Sequence, residues 1–176
     1  MFLLEKFQDP HIFLANESQI DDIYSIMTTV AAQMDHPEYY VIDDRDYVAR
    51  HISQEGFTLL WQEVDAIAGF LIIHLPTPSA PSNLGHDLGF SPMQLGRVAH
   101  MESAAVLPQF RGHGIQKKLL SAAENSLRAQ GFRYSLCTVH PDNLPSLQSL
   151  LSLGYQVSAT KLKYGGKLRH IMQKEL

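Results

Sequence analysis

Between residues 98 and 140 a β pattern, a turn with two glycines, one helical stripe and a second β pattern follow one another without a break. The first is VAHMESAAV (98–106), the turn lies in FRGHGIQKKLL (110–120), and the second strand is YSLCTVH (134–140). In the intervening helix Ile115, Leu119, Ala122, Ala123 and Leu127 fall on one face, and Gly131 ends it. A parallel strand pair needs a crossover of a dozen or more residues, usually a helix. The spacing therefore predicts a parallel pair joined through residues 111–130, which places the chain in the α/β class.

The flanks extend this order. Ile20, Ile23, Ile26, Met27 and Val30 keep helical spacing in a segment from about 17 to 34. Tyr47, Val48 and Ile52 mark a second helix that starts near Asp43–Asp44, with Gly56 as its stop. FTLLWQEV (57–64) and IAGFLIIHL (67–75) read as two strands around a turn at Asp65. Residues 76–96 contain four prolines and little periodicity, and read as a long loop. NLPSLQSLLSLGY (143–155) predicts a short helix stopped by Gly154, and residues 155–176 a closing hairpin that turns at Gly165-Gly166. No repeat or linker divides the 176 residues, so one domain over 1–176 is expected.

Charge and composition narrow the function classes. A net charge of −4 disfavours nucleic acid as the main partner, because phosphate-backbone binding is carried by Lys and Arg. No apolar run approaches the roughly 18–20 residues that span a bilayer. MFLLEKFQDP lacks a basic leader and Glu5 interrupts its apolar patch, so a cytoplasmic location is expected. Cys137 is the only cysteine, in an apolar strand that favours a buried, inert thiol. Nine histidines fall in no H-x-x-x-H or H-E-x-x-H spacing, so no metal is expected. No G-x-S-x-G elbow is present for a serine nucleophile.

The glycine turn carries the first chemical signal. A helix N-terminus presents unpaired N–H groups and a partial positive charge, and a phosphate satisfies both. Gly112 and Gly114 allow close approach, Arg111 adds a charged donor, and Lys117 and Lys118 follow one turn later. Neither the Walker phosphate loop nor the dinucleotide G-x-G-x-x-G pattern is matched, so the turn alone leaves an ordinary strand-to-helix connection open.

Two separated segments, in order, sharpen the reading. AAVLPQFRGHGIQKKLL (104–120) resembles the central motif of the GNAT family of acyl-CoA N-acyltransferases: a strand ending in Ala-Val, then Pro-x-Tyr/Phe, then Gln/Arg-x-x-Gly-x-Gly/Ala. Arg111 and Gly114 fill the first two defined positions of the last part. The segment 143–155 resembles the family's Asn-x-x-Ala/Ser-x-x-x-Tyr/Leu-x-x-x-Gly-Phe/Tyr, with Asn143, Ser146, Gly154 and Tyr155 in step. The resemblance covers residues 98–176; the first half agrees in element order. It implies a mixed, mostly antiparallel central sheet with helices on both faces. It also implies that amides of Arg111, Gly112, His113, Gly114, Ile115 and Gln116 hold the pyrophosphate of acetyl-CoA. By the same resemblance the backbone of Ala105 and Val106 binds the pantetheine arm, and the helix of Asn143 and Ser146 lies on its other side. Two positions depart from the family: Gln116 stands where Gly or Ala is usual, and Leu150 where many members have a tyrosine that protonates the departing thiolate.

The chemistry then needs a base more than an acid. A thiol pKa of about 8.5 makes thiolate a tolerable leaving group. Deprotonating a lysine-like amine (pKa about 10.4) at pH 7 costs on the order of 4–5 kcal/mol, an α-amine (near 8) about 1 kcal/mol. By period two, His100, Glu102, Ala104 and Val106 share one strand face. Glu102 is the first candidate base, directly or through water, and His100 the second. His140 reads as a helix cap or a group near the thioester, and His113 as a phosphate donor or an exposed turn residue. The segment 35–46, with five carboxylates and one arginine, borders the acceptor site by resemblance, where it favours a cationic amine. Loop 76–96 either covers the acceptor or hangs in solvent. The expectation is an N-acetyltransferase acting on a small-molecule or peptide amine, with homodimerisation implied by the family. The rivals are a non-catalytic acyl-CoA-binding or regulatory module and an unrelated phosphate-binding α/β protein.

Overall fold

A computed structural model describes residues 7–176; the start of the N-terminal apolar patch lies outside them. Among the described residues the elements are β1 (Ile12–Leu14), α1 (Ile20–Ala32), α2 (Arg45–Ser53), β2 (Gly56–Gln62), β3 (Ile67–His74), α3 (Pro92–Leu95), β4 (Val98–Val106), α4 (Ile115–Ala129), β5 (Tyr134–Val139), α5 (Leu144–Ser152), β6 (Gln156–Lys163) and β7 (Lys167–Glu175). The strands form one sheet in the order β1-β2-β3-β4-β5-β7-β6. Every pairing is antiparallel except β4 with β5, the pair joined through α4.

Helices cover both faces. Ile115, Leu119, Leu120, Ala123 and Leu127 of α4 pack with Leu71, Ile73, Ala99 and Met101, and Leu150 of α5 joins them. On the other face Ile23, Met27 and Val30 of α1 and Val48 and Ile52 of α2 pack on Leu60, Phe70 and Ile72. Each large aliphatic side chain so buried contributes about 1.5–3 kcal/mol. No helix of the described residues is long and apolar enough to cross a membrane.

Two local expectations are corrected. α2 ends at Ser53, and Gly56 begins β2 instead of stopping the helix. Its role is close strand approach: a Cβ there would run into the Ile73 carbonyl. Loop 76–96 does not hang free in solvent. Asn83 is buried, donates to the carbonyls of Thr77 and Leu95, and accepts from the Gly85 N–H. Leu84 packs on Val98, Leu136 and Ile171. The loop is thereby pinned to the starts of β4 and β5.

Two irregularities around β4 build the cleft. Ile72 pairs with Ser103 but Ile73 pairs with Met101, so Glu102 is the extra residue of a β-bulge. β4 and β5 pair only at Val98–Tyr134, Ala99–Ser135 and His100–Leu136. Beyond these the strands diverge, while β5 continues along β7 to the Val139–His170 pair.

Candidate active site

The glycine turn folds as its composition requires. Gly112 and Gly114 have φ of 82° and 73°, the left-handed region that glycine enters without steric cost. Gly114 is the N-cap of α4, and no side chain caps the helix there. The first-turn amides therefore face outward without helical partners. A Cβ at Gly112 or Gly114 would meet nothing within 4 Å, so the space above the turn is open. Arg111 Nε donates to the Val106 carbonyl at 3.2 Å, tying the turn to the end of β4.

The turn opens onto a cleft of about 1030 Å3 between the diverging ends of β4 and β5. Ala105 and Val106 form one wall, and Asn143 and Ser146 of α5 lie across from it. Arg111, Gly112, Gly114, Ile115 and Gln116 line the turn end. The Leu107 N–H bonds the Ala68 carbonyl. Alternation along an antiparallel strand then turns the Val106 N–H and C=O away from β3, toward the cleft. Asn143 caps α5, its Oδ1 accepting from the Ser146 N–H at 3.4 Å. His113 stands apart from the cleft; it is exposed, with Nδ1 3.2 Å from the Phe110 carbonyl. These residues fit the diphosphate and pantetheine arm of a coenzyme A thioester: open amides at one end, strand backbone along the middle.

The predicted common face for His100, Glu102, Ala104 and Val106 does not form, because the bulge shifts the alternation by one residue. Ala104 sits opposite Leu71 and Met101 opposite Ile73, both on the α4 side. His100 faces the opposite side, buried at 2% exposure, away from the cleft. The Leu84 N–H donates to its Nε2 at 3.2 Å. That bond fixes the ring proton on Nδ1, which lies 3.5 Å from Glu102 Oε2. His100 therefore stands behind Glu102 as its positioning partner.

Glu102 itself lines the cleft. Burial alone would raise its carboxyl pKa. Hydrogen bonding to His100, the field of His100 and His74, and a hydrogen bond from Tyr47 outweigh burial and hold Glu102 below the ordinary glutamate range. A second carboxylate, Asp43, lines the same end. Burial first, then the charges of Glu102 and Asp44, push it up to about 6. The acidic segment expected to border the acceptor thus supplies two carboxylates, Asp35 and Asp43, to the cleft lining, while Asp44 caps α2 by accepting from the Tyr47 N–H at 2.7 Å. Arg169, 3% exposed, donates to the Glu38 carbonyl at 2.7 Å and anchors this segment to β7.

Of the four phenols that line the cleft, Tyr39 stacks on His36, and three others carry no signal in the sequence motifs. Tyr40 bonds Ser103 (hydroxyl to Oγ, 3.0 Å), and Tyr47 faces Glu102. Tyr164 is the third, in the β6–β7 turn, with φ of 49° and its hydroxyl 3.1 Å from Thr138 Oγ1. A left-handed non-glycine residue before two glycines is the one feature that marks it. Burial pushes the Tyr164 phenol up to about 12. Leu150 meets the cleft as a buried apolar side chain. Cys137 lines the cleft, and burial raises its thiol well above the ordinary range. His140 stacks on Tyr39 with centroids 4.5 Å apart and accepts from the Asp142 N–H, outside the cleft lining.

The acetyltransferase (GNAT) family model matches residues 19–155. No curated protein matches the chain. Among solved structures it is similar to yncA, a putative acetyltransferase from Salmonella typhimurium with its cofactor acetyl-CoA: 21% identity over 93% of this chain and 92% of that one, TM-score 0.67. The ribosomal-protein-S18-alanine N-acetyltransferase from Escherichia coli is 15% identical over 93% and 92%, with TM-score 0.69. Arabidopsis thaliana Naa50, in complex with the bisubstrate analogue CoA-Ac-MVNAL, is 15% identical over 94% and 99%, with TM-score 0.69.

Proposed function

Because the chain belongs to the GNAT acetyltransferase family, we propose that it transfers acetyl from acetyl-CoA to a primary amine by direct attack in a ternary complex. The observation that carries this reading is the arrangement along one cleft: open amides at the head of α4, the Val106 N–H turned away from β3, and the Asp43 and Glu102 carboxylates in the same lining. Acetyl-CoA supplies an acyl thioester. The Arg111 N–H is spent on the Pro108 carbonyl, so the amides of residues 112–116 hold its diphosphate, and the Val106 backbone aligns the arm, so that positioning contributes several kcal/mol to the barrier reduction. The Val106 N–H donates to the carbonyl oxygen as charge develops there. Glu102, held anionic, attracts the ammonium form of the acceptor and takes one proton from it, directly or through one water, which frees the lone pair that attacks; the second N–H proton passes to solvent as the amide forms. His100 keeps its carboxylate aimed.

Leu150 supplies no acid, and of the cleft's phenols Tyr40 is bonded to Ser103 and Tyr47 to Glu102, so we assign protonation of the departing thiolate to Tyr164. Because a thiolate leaves without a strong acid, Tyr164→Phe lowers kcat by only about 3- to 10-fold with the acceptor KM unchanged. Steady-state thiol-release kinetics check this; loss of acceptor binding instead would place Tyr164 in recognition.

Asp43 gives the reaction a pH signature. Glu102, Asp44, Tyr40 and Tyr47 are the titratable groups facing it, and none is cationic. Its carboxyl is neutral below about 6 and charged above. The acceptor KM therefore rises as pH falls through about 6, by about 5- to 10-fold for a cationic amine, and Asp43→Asn removes that step.

The reading as a whole is tested by titrating the protein with acetyl-CoA alongside thiol release on polyamines, amino acids and peptides with free α-amines. Binding with turnover on one class establishes it. Tight binding with no turnover on any favours an acyl-CoA-binding module, and preference for a nucleotide over CoA an unrelated phosphate binder.

A further inference from the structure

Away from the cleft, α2, the turn after it and the end of β3 bring three metal-ligating side chains to one point. We propose that His51, His74 and Glu55 form a binding site for a divalent transition metal of the zinc type. His51 Nε2 lies 2.9 Å from His74 Nδ1 and 3.7 Å from Glu55 Oε2, and the three donor atoms fall within 4.8 Å of one another. A tetrahedral zinc with bonds of about 2.0–2.1 Å spaces its ligand atoms about 3.3–3.4 Å apart. The two shorter separations straddle that value.

The proton inventory points to a cation. His51 is fully buried, and its Nδ1 faces the Tyr47 carbonyl at 2.8 Å. A carbonyl only accepts, so Nδ1 carries the proton and Nε2 presents a lone pair to the centre of the cluster. Glu55 Oε2, another acceptor, faces the same point. A single proton on His74 Nδ1 serves the His51 contact and leaves the carboxylate opposite a lone pair. A metal ion satisfies all three donors together and displaces that proton.

The surroundings have the character of an outer shell. The Tyr47 carbonyl sets the His51 tautomer, and the Tyr47 ring stacks on the imidazole with centroids 4.1 Å apart. Arg50 Nε holds Glu55 Oε1 at 3.2 Å, which leaves Oε2 for the centre. Glu55 is 42% exposed, so a fourth position is open to water and an entry path exists. Two imidazoles and one carboxylate suit zinc, cobalt or nickel and disfavour magnesium or calcium. The histidine spacings along the chain could not point to this cluster, because His51-x-x-x-Glu55 lies at a helix end and His74 arrives from another element.

The test is calorimetric titration of the chelator-treated full chain with Zn2+, read beside the visible absorption of its Co2+ form and the thermal midpoint. One Zn2+ per chain is expected, with Kd in the micromolar range or tighter, tetrahedral Co2+ bands and a midpoint raised by several degrees. Glu55→Gln, a surface change, should weaken binding about 10-fold or more, and His74→Asn should abolish it. Failure to bind at about 100-fold molar excess of metal overturns the site. So does binding of unchanged affinity in Glu55→Gln, the deciding variant if His74→Asn does not fold.

Discussion

Glu102→Gln lowers kcat/KM for the acceptor amine by about 10²- to 10³-fold, the range expected for removal of a general base, and leaves acetyl-CoA affinity within about twofold. The substitution preserves shape, and the His100 Nδ1–H still finds an oxygen to face. What disappears is the charge that takes the proton of the attacking nitrogen. The diphosphate site we propose, at residues 112–116, does not include Glu102, so binding of the coenzyme should survive. The loss should be graded by acceptor. An amine with pKa about 10.4 depends on the base more heavily than one near 8, so a lysine-like substrate loses more than an α-amine. Stopped assays across about pH 6–9 with both substrate types check the result. Turnover unaltered by the substitution throughout that range would remove Glu102 from the proton path.

The second large effect concerns the cradle. Gly114→Val raises the Kd for acetyl-CoA by about 100-fold or more. A side chain at φ of 73° costs about 1–2 kcal/mol in backbone strain, more for a β-branched one. Its methyls also enter the open space above the first turn of α4, where we propose that the diphosphate sits. Gly131 separates the two contributions. It too has a left-handed φ, 88°, and an added Cβ there would meet nothing within 4 Å, but it lies beyond the opposite end of α4. Gly131→Ala should lower the thermal midpoint by a few degrees and leave coenzyme binding intact. Titration calorimetry on both variants decides the matter; coenzyme affinity within about threefold of wild type in Gly114→Val would place the diphosphate elsewhere.

The parts of this molecule that local chemistry determines were legible in its sequence. The Gly112–Gly114 turn, the α4 stripe, the short α5 helix and the closing hairpin each follow from residues within one element, although the cap of α5 is Asn143 and not His140. The facing of β4 was not, because a bulge depends on how β3 pairs with it, and Glu102 carries no mark of being the extra residue. Loop 76–96 looked unstructured because its order comes from one buried asparagine and one leucine that meet distant strands. Tyr40 and Tyr164 belong to segments with no periodicity to betray them, and they reach the cleft through Ser103 and Thr138, far away along the chain. His51 and His74 likewise become neighbours only when α2 docks on the sheet.

The extra residue in β4 divides that strand into two half-strands out of phase. Before it, His100 turns away from the α4 layer and sets how Glu102 is held; after it, Ala104 and Val106 turn toward that layer and line the wall along which we propose the coenzyme arm lies. Acid–base behaviour and coenzyme preference are thereby separable traits of one strand. Drift around His100 can retune the first without disturbing the second, and drift in Ala104–Val106 the reverse. Deleting one residue at the junction would merge the halves and cost both traits together.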